Sequence, residues 1–238
     1  MTFYSMKEFL EDMMTQNVSP DEQIYSYLCT TDTKRLKQLI ARLEKLKLID
    51  TKTILVKRKA WNDKPGICRQ HTHKTLPAIN AVRSKLLGKT LEQIVLLLFK
   101  GCTFITSTTN IRTTTAEIDL FARFGPTSKV MPMFGSGITH MIGEAKCYSS
   151  GFKSEWVNEL VGLMDHHNTT HSVLFVASAE KKLRTEHRHG LQLHSARGKH
   201  VIPFGLAQLR SIASGKNFLS MLSTQFINVT AGHPDLHI

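Results

Sequence analysis

A chain of 238 residues, set against about 150 residues per domain, makes either one large domain or two small ones. That length excludes a miniprotein held by disulfides. Lys and Arg number 31 against 19 Asp and Glu, a net charge of +12 with His neutral. So large a positive excess points to a polyanionic partner, nucleic acid first.

The longest unbroken apolar run, IVLLLF at 94–99, is far short of the roughly 20 residues a membrane span needs. The N-terminal MTFYSMKEFLEDMM lacks the basic-then-apolar order of a secretory signal. A soluble, cytoplasmic protein of prokaryotic or phage type, without a membrane partner, is expected. Cys29, Cys68, Cys102 and Cys147 stand 34 or more residues apart with no C-x-x-C spacing, as suits reduced packing thiols.

In chain order, Met6, Phe9, Leu10, Met13 and Met14 repeat with helical spacing and predict a first amphipathic helix. Ser19-Pro20-Asp21-Glu22 supplies an N-cap, a proline at the first helical position and a Glu at the third, so a second helix opens there with Ile24, Tyr25 and Leu28 as its apolar residues. A third helix buries Leu36, Leu39, Ile40, Leu43 and Leu46 and carries Arg35, Lys37, Arg42, Lys45 and Lys47 on its other faces. The segment TKTILVKRK at 51–59, ending in Lys57, Arg58 and Lys59, mixes β-branched residues with basic ones as a strand-like wing does. Three short helices and a basic ribbon over residues 1–70 resemble a winged helix-turn-helix, with DNA-binding candidates Arg35, Lys37, Arg42, Lys57, Arg58 and Lys59. A structural or dimerising role is the competing reading of the same basic faces.

A stretch rich in Pro, Gly and polar residues at 61–77 reads as a linker, giving a first unit over 1–70, a linker and entry helix over 71–84 and a second unit over 85–238. The second part is the more basic, with 18 bases and 10 acids beyond residue 70. There a helix at 78–87 ends at Gly88, and Thr90-x-x-Gln93 opens another as a capping box, closed by Gly101. Strand-like runs follow at 102–106, 117–124, 139–148, 171–178 and 199–204. Helices are expected at 154–166 and 180–197, with a closing helix from Leu206. This order predicts an α/β (α+β) fold, a mixed sheet flanked by helices.

The chemistry-bearing constellation is Asp119 in AEIDLFARF with Glu144 and Lys146 in MIGEAKCY. In a regular strand Asp119 points away from the side of Ile118 and Leu120, while Glu144 and Lys146, two apart, share a face. If the two strands pair, two carboxylates and an amine converge. That is the inventory for phosphodiester hydrolysis, in which carboxylates hold Mg²⁺ and a lysine steadies the attacking water or the developing charge. Glu92, in the first turn of an apolar helix, is a third acid, though taken alone a favourable charge at a helix N-terminus explains it better.

Gly88, Glu92, Gly101, the Glu-Ile-Asp119-Leu segment and Glu144-Ala145-Lys146 together resemble the PD-(D/E)xK nuclease superfamily, and within it the Mrr-like restriction endonuclease catalytic domains. The likeness covers roughly residues 85–215 and implies a restriction-endonuclease-like fold behind the winged-helix-like unit. It implies Asp119 and Glu144 as metal ligands, the Ala145 carbonyl as a further ligand, Lys146 as the catalytic lysine, and Glu92 as a catalytic acid that holds the metal directly or through water. Mg²⁺ is the implied cofactor, with Mn²⁺ able to substitute, and no nucleotide cofactor is evident. The implied partners are double-stranded DNA and a second copy of the chain, because one site cuts one strand. Two departures stand out: Glu117 occupies a position where glycine is frequent in the family, and 25 residues separate Asp119 from Glu144.

The sequence is therefore read as a Mg²⁺-dependent DNA endonuclease acting in restriction or defence. A junction resolvase or repair nuclease of the same fold is the nearest alternative, and a non-catalytic DNA-binding regulator the alternative of another class. Cys68, His71 and His73 make half of a zinc site with no second pair to complete it. His166 and His167 suit a helix C-terminus. Lys181, Lys182, Arg184, Arg188, Arg197 and Lys199 form either a phosphate-contacting or a solvated face.

Overall fold

The computed structural model describes residues 20–48, 72–112, 117–125, 133, 138–147, 152–177 and 183–232. The expected helix over 6–14, the wing with Lys57, Arg58 and Lys59, and Cys68, His71, Lys181 and Lys182 lie outside the described residues. The elements run α1 (Pro20–Leu28), α2 (Thr33–Leu48), α3 (Thr72–Lys100), β1 (Ile105–Arg112), β2 (Glu117–Phe124), β3 (His140–Lys146), α4 (Ser154–His166), β4 (His171–Val176), α5 (Thr185–Ala196), β5 (His200–Phe204), α6 (Leu206–Ala213) and α7 (Phe218–Thr230). Among the described residues no helix is long and apolar enough to cross a membrane.

The five strands make one mixed sheet in the order β1-β2-β3-β4-β5. The first three pair antiparallel, and β3-β4-β5 pair parallel. β4 is buried along its whole length, as its apolar VLFV run and its interior place between β3 and β5 require. On one face α3, α2 and α6 cover Leu120, Ala122, Met141, Val173, Phe175 and Ile202. On the other, α4 and α5 cover Ile142, Leu174, Val176 and Val201 through Trp156, Val157, Leu160 and Leu191. α7 lies against β5, with Phe218 and Leu222 in the first cluster and Val229 in the second.

Three expectations are corrected. A single 29-residue helix α3 replaces the linker end, the helix at 78–87 and its successor. The capping box fails because the buried Thr90 hydroxyl donates to the Leu86 carbonyl, one turn back, at 2.7 Å. Gly88 costs about 1 kcal/mol inside a helix, less than the burial of Leu87, Leu91, Ile94, Val95 and Leu98 returns. Strand β1 starts at Ile105 and runs through polar residues to Arg112, because an edge strand needs few apolar side chains. Residues 102 and 103, expected to open that strand, instead bridge to the end of α1: Thr30 N–H donates to the Gly101 carbonyl at 3.0 Å and Thr103 N–H to the Leu28 carbonyl at 2.9 Å. Finally, two helices, not one, follow β5 among the described residues, with a turn between them at Gly215, whose φ of +116° favours glycine.

Helices α1 and α2 share one hydrophobic cluster with the sheet: Tyr25, Leu28, Leu36, Leu39, Ile40 and Leu43 pack with Leu91, Leu98 and Phe218. Polar ties reinforce this union. Asn217 accepts from the Leu219 N–H at 2.8 Å as the N-cap of α7 and donates to the Tyr25 and Cys29 carbonyls, both at 2.9 Å. Arg83 caps the end of α2 through the Leu46 and Lys47 carbonyls, and Arg210 pairs with Glu44 at 2.7 Å. Arg35, Lys37 and Arg42 are left on the exposed side of α2.

At the start of β4, His171 is buried, stacks on Phe226 and approaches the His200 ring to 4.8 Å. Burial, and then the neighbouring His200, push its pKa down to about 4. The folded state therefore binds fewer protons than the unfolded chain between that value and the ordinary histidine value near 6.5, and stability must rise with pH across this window. We predict that unfolding free energy falls by about 3 kcal/mol as pH drops from above 6.5 to below 4 on account of this residue. Denaturant titrations of His171→Phe should lack that component, and an unchanged pH profile would contradict the assignment.

Candidate active site where β2 and β3 part

The β2–β3 ladder pairs Arg123 with His140 through to Leu120 with Gly143, and one further step of the same register sets Asp119 across from Glu144. At that step the backbone pairing stops. The Ala145 N–H donates instead to Asp119 Oδ2 at 2.8 Å, so a side-chain carboxylate takes the place of a strand carbonyl. β3 meanwhile stays paired with β4, Glu144 with Leu174 through Lys146 with Val176. The two strands part while β3 remains anchored, and the acids lie at the fork.

Glu144 and Lys146 follow Ile142 on the α4 side of the sheet, as their spacing of two predicts. Lys146 Nζ stands 2.8 Å from Glu144 Oε1 and 3.7 Å from Glu159 Oε2 on α4. The Lys146 and Glu144 side chains are 18% and 15% exposed, whereas Glu159 is 63% exposed and open to solvent. An open cleft of about 350 Å³ is lined by Glu117, Glu144, Lys146 and Glu159, with Trp156, Leu160 and Leu163 as its apolar wall. Asp119 is not among the residues lining the cleft; it reaches the site through its bond to Ala145.

Burial raises both carboxyl pKa values above their ordinary range. For Asp119 the Ala145 N–H and the Lys146 charge oppose the rise. For Glu144 the Asp119 charge adds to it, and Lys146 opposes it. A side-chain hydrogen bond between the two carboxyls contributes to both shifts. Two half-buried carboxyls whose burial disfavours their charged forms gain from a cation beside them, and their hard oxygens suit Mg²⁺ or Mn²⁺.

Asp119, Glu144 and Lys146 are thus brought together, with Ala145 between the last two. Glu92 is not joined to them: its Oε2 accepts from Asn110 Nδ2 at 3.3 Å, and among the described residues no three His, Cys, Asp or Glu side chains converge as a metal-holding group. Strict alternation along β2 is also corrected, because Ile118 packs in the α4-side cluster while Leu120 packs in the opposite one. Sequence reasoning missed Glu159 as a neighbour of Lys146. Its only signal is an acid placed in the apolar stripe of Trp156, Leu160 and Leu163. No protein-family model, no curated protein and no solved structure matches this chain.

The fork needs Gly143, directly opposite Leu120. A Cβ there would stand 2.9 Å from Leu120 Cδ2, 3.1 Å from its Cβ and 3.4 Å from the Val173 carbonyl oxygen. Gly143→Ala should therefore cost about 1–3 kcal/mol, the scale of overpacking in a filled interior, read as a lower denaturation midpoint with an unchanged slope. A midpoint equal to that of the parent would show that β2 and β3 have slack beside Glu144.

Proposed function

We propose that this protein is a Mg²⁺-dependent endonuclease that hydrolyses phosphodiester bonds of double-stranded DNA, of the PD-(D/E)xK type and acting in restriction or defence. The observation that carries the proposal is the carboxyl pair Asp119–Glu144 with Lys146 held 2.8 Å from Glu144 at a cleft. The net charge of +12 supports a polyanionic substrate.

Asp119, through the oxygen not bound to the Ala145 N–H, and Glu144 would hold the cation, with the Ala145 carbonyl as the further ligand the resemblance implies. Bound there, a divalent cation would offset the charge of the scissile phosphate, polarise its oxygen and acidify a water. The chain's own groups do the rest. Ala145 fixes the Asp119 carboxylate by its N–H, so that acid needs no reorganisation as charge develops. Glu144 holds the Lys146 ammonium over the cleft, where it donates to the attacking water and to the phosphoryl oxygens as negative charge grows on them. Water adds to phosphorus as the bond to the departing sugar oxygen breaks; the proton lost by the attacking water passes to bulk water, and the leaving oxygen takes a proton from bulk water in return. The wall of Trp156, Leu160 and Leu163 limits water beside these charges and so strengthens their interactions. Exposed Arg35, Lys37 and Arg42 on α2 would contact phosphates, and a homodimer would supply the second site for a double-strand cut.

Cleavage of linear, methylated, forked and four-way duplexes, each with Mg²⁺ and with EDTA, tests the proposal. Asp119→Asn and Glu144→Gln should abolish cutting and leave DNA affinity nearly intact. Lys146→Ala and Lys146→Arg should slow single turnover at least about a hundredfold, the scale of one preorganised charge. Normal cutting by any of the four would remove the residue concerned from the mechanism. DNA binding without metal-dependent cleavage by the parent would make the protein a regulator, and cutting of four-way or forked DNA alone would make it a resolvase or repair nuclease.

A further inference from the structure

We infer that Asn110 is a positioning residue for this site: by breaking the β1–β2 ladder opposite Asp119, it releases that residue from regular strand geometry and lets its carboxylate turn onto the Ala145 N–H. The inference rests on the reading of Asp119 as a metal-holding acid.

β1 and β2 keep one register from Ile105 opposite Phe124 to Arg112 opposite Glu117, yet the pair Asn110 and Asp119 is missing between Thr109–Leu120 and Ile111–Ile118. Asn110 has φ of +55°, in the left-handed region, where extended strand residues have φ near −140°. Glycine adopts that region freely and Asn at small cost, whereas β-branched residues are forced out of it. The consequence is visible on the partner strand. Ile118 and Leu120, two apart and so expected on one face, pack on opposite faces, which means that β2 turns over at Asp119. The Asn110 side chain turns toward α3, where its Nδ2 donates to Glu92 Oε2 at 3.3 Å. On the far side of β2, the Asp119 carboxylate accepts the Ala145 N–H at 2.8 Å. A regular pair at 110 and 119 would return Asp119 to the pleat and take that acceptor away from Ala145.

The test compares Asn110→Gly, which keeps the left-handed backbone, with Asn110→Val, which forbids it, in the full chain. Four quantities are measured: exchange of the Ala145 amide by NMR, Mn²⁺ binding by calorimetry, single-turnover cleavage and DNA affinity. Asn110→Gly should keep Ala145 protected and cut within about threefold of the parent. Asn110→Val should lose that protection, bind Mn²⁺ at least about tenfold more weakly and cut at least about tenfold more slowly, with DNA affinity unchanged. If thermal melting shows Asn110→Val unfolded, Asn110→Ala takes its place, since alanine also disfavours positive φ with a smaller side chain. Retained protection and rate in the valine or alanine variant would overturn the inference. So would a glycine variant that falls as far, which would assign the effect to the lost Glu92 bond. If the parent neither cuts nor binds Mn²⁺, the nuclease reading fails by itself, and the Ala145 exchange rates still decide the role of Asn110.

Discussion

The hydrogen bond from the Ala145 N–H to the Asp119 carboxylate is the contact on which the site depends. It stands where backbone pairing between β2 and β3 ends, and it satisfies a strand amide that would otherwise lose its partner as the strands part. In doing so it fixes an acid beside Glu144. A buried carboxyl pair is costly without a compensating charge, and Lys146, within reach of both Glu144 and Glu159, supplies one. The same group that offsets this cost is the one that the proposed mechanism sets against a phosphate.

The sheet gives this fork a firm base. β3 is held on its other side by the fully buried β4, so the opening lies between β2 and β3 alone. Helices α1 and α2 belong to the same base, because they enter the cluster that packs under α3 and meet the turn after α3 through the Cys29–Cys102 bridge. At that bridge Gly101 has no room for a side chain: a Cβ would lie 2.5 Å from the Thr30 carbonyl oxygen. The exposed bases of α2 are thereby carried on an element that shares its core with the site, which couples any contact made there to the sheet that holds Asp119 and Glu144.

Most of this architecture is legible in the sequence where one physical signal dominates. The period-two runs of β2 and β3, the continuous apolar run of β4 and the helical periodicity of α2 each fix an element within a few residues. The failures share a cause. Thr90 and Gly88 look like helix punctuation locally, and only the packing of Leu87, Leu91 and Ile94 reveals one continuous helix. β1 is an edge strand of threonines with little hydrophobic signal, and nothing in the helices over 20–48 says which surface they cover. Of the site, Glu144 and Lys146 could be foreseen because strand periodicity sets their shared face, and Asp119 by its residue type and order but not by alternation, since β2 turns over there. Glu159 and Asn110 could not, since their places follow from how α4 and β1 pack, and Glu92 is turned toward Asn110 by that same packing.

The measurement that bears most directly on the central claim is an anomalous difference map from crystals soaked in Mn²⁺. The account predicts a peak in contact with the Asp119 and Glu144 carboxylates, with the Ala145 N–H still bound to Asp119 and the Lys146 ammonium alongside. Density absent from that position at saturating Mn²⁺, or an ion bound elsewhere without either acid, would contradict it.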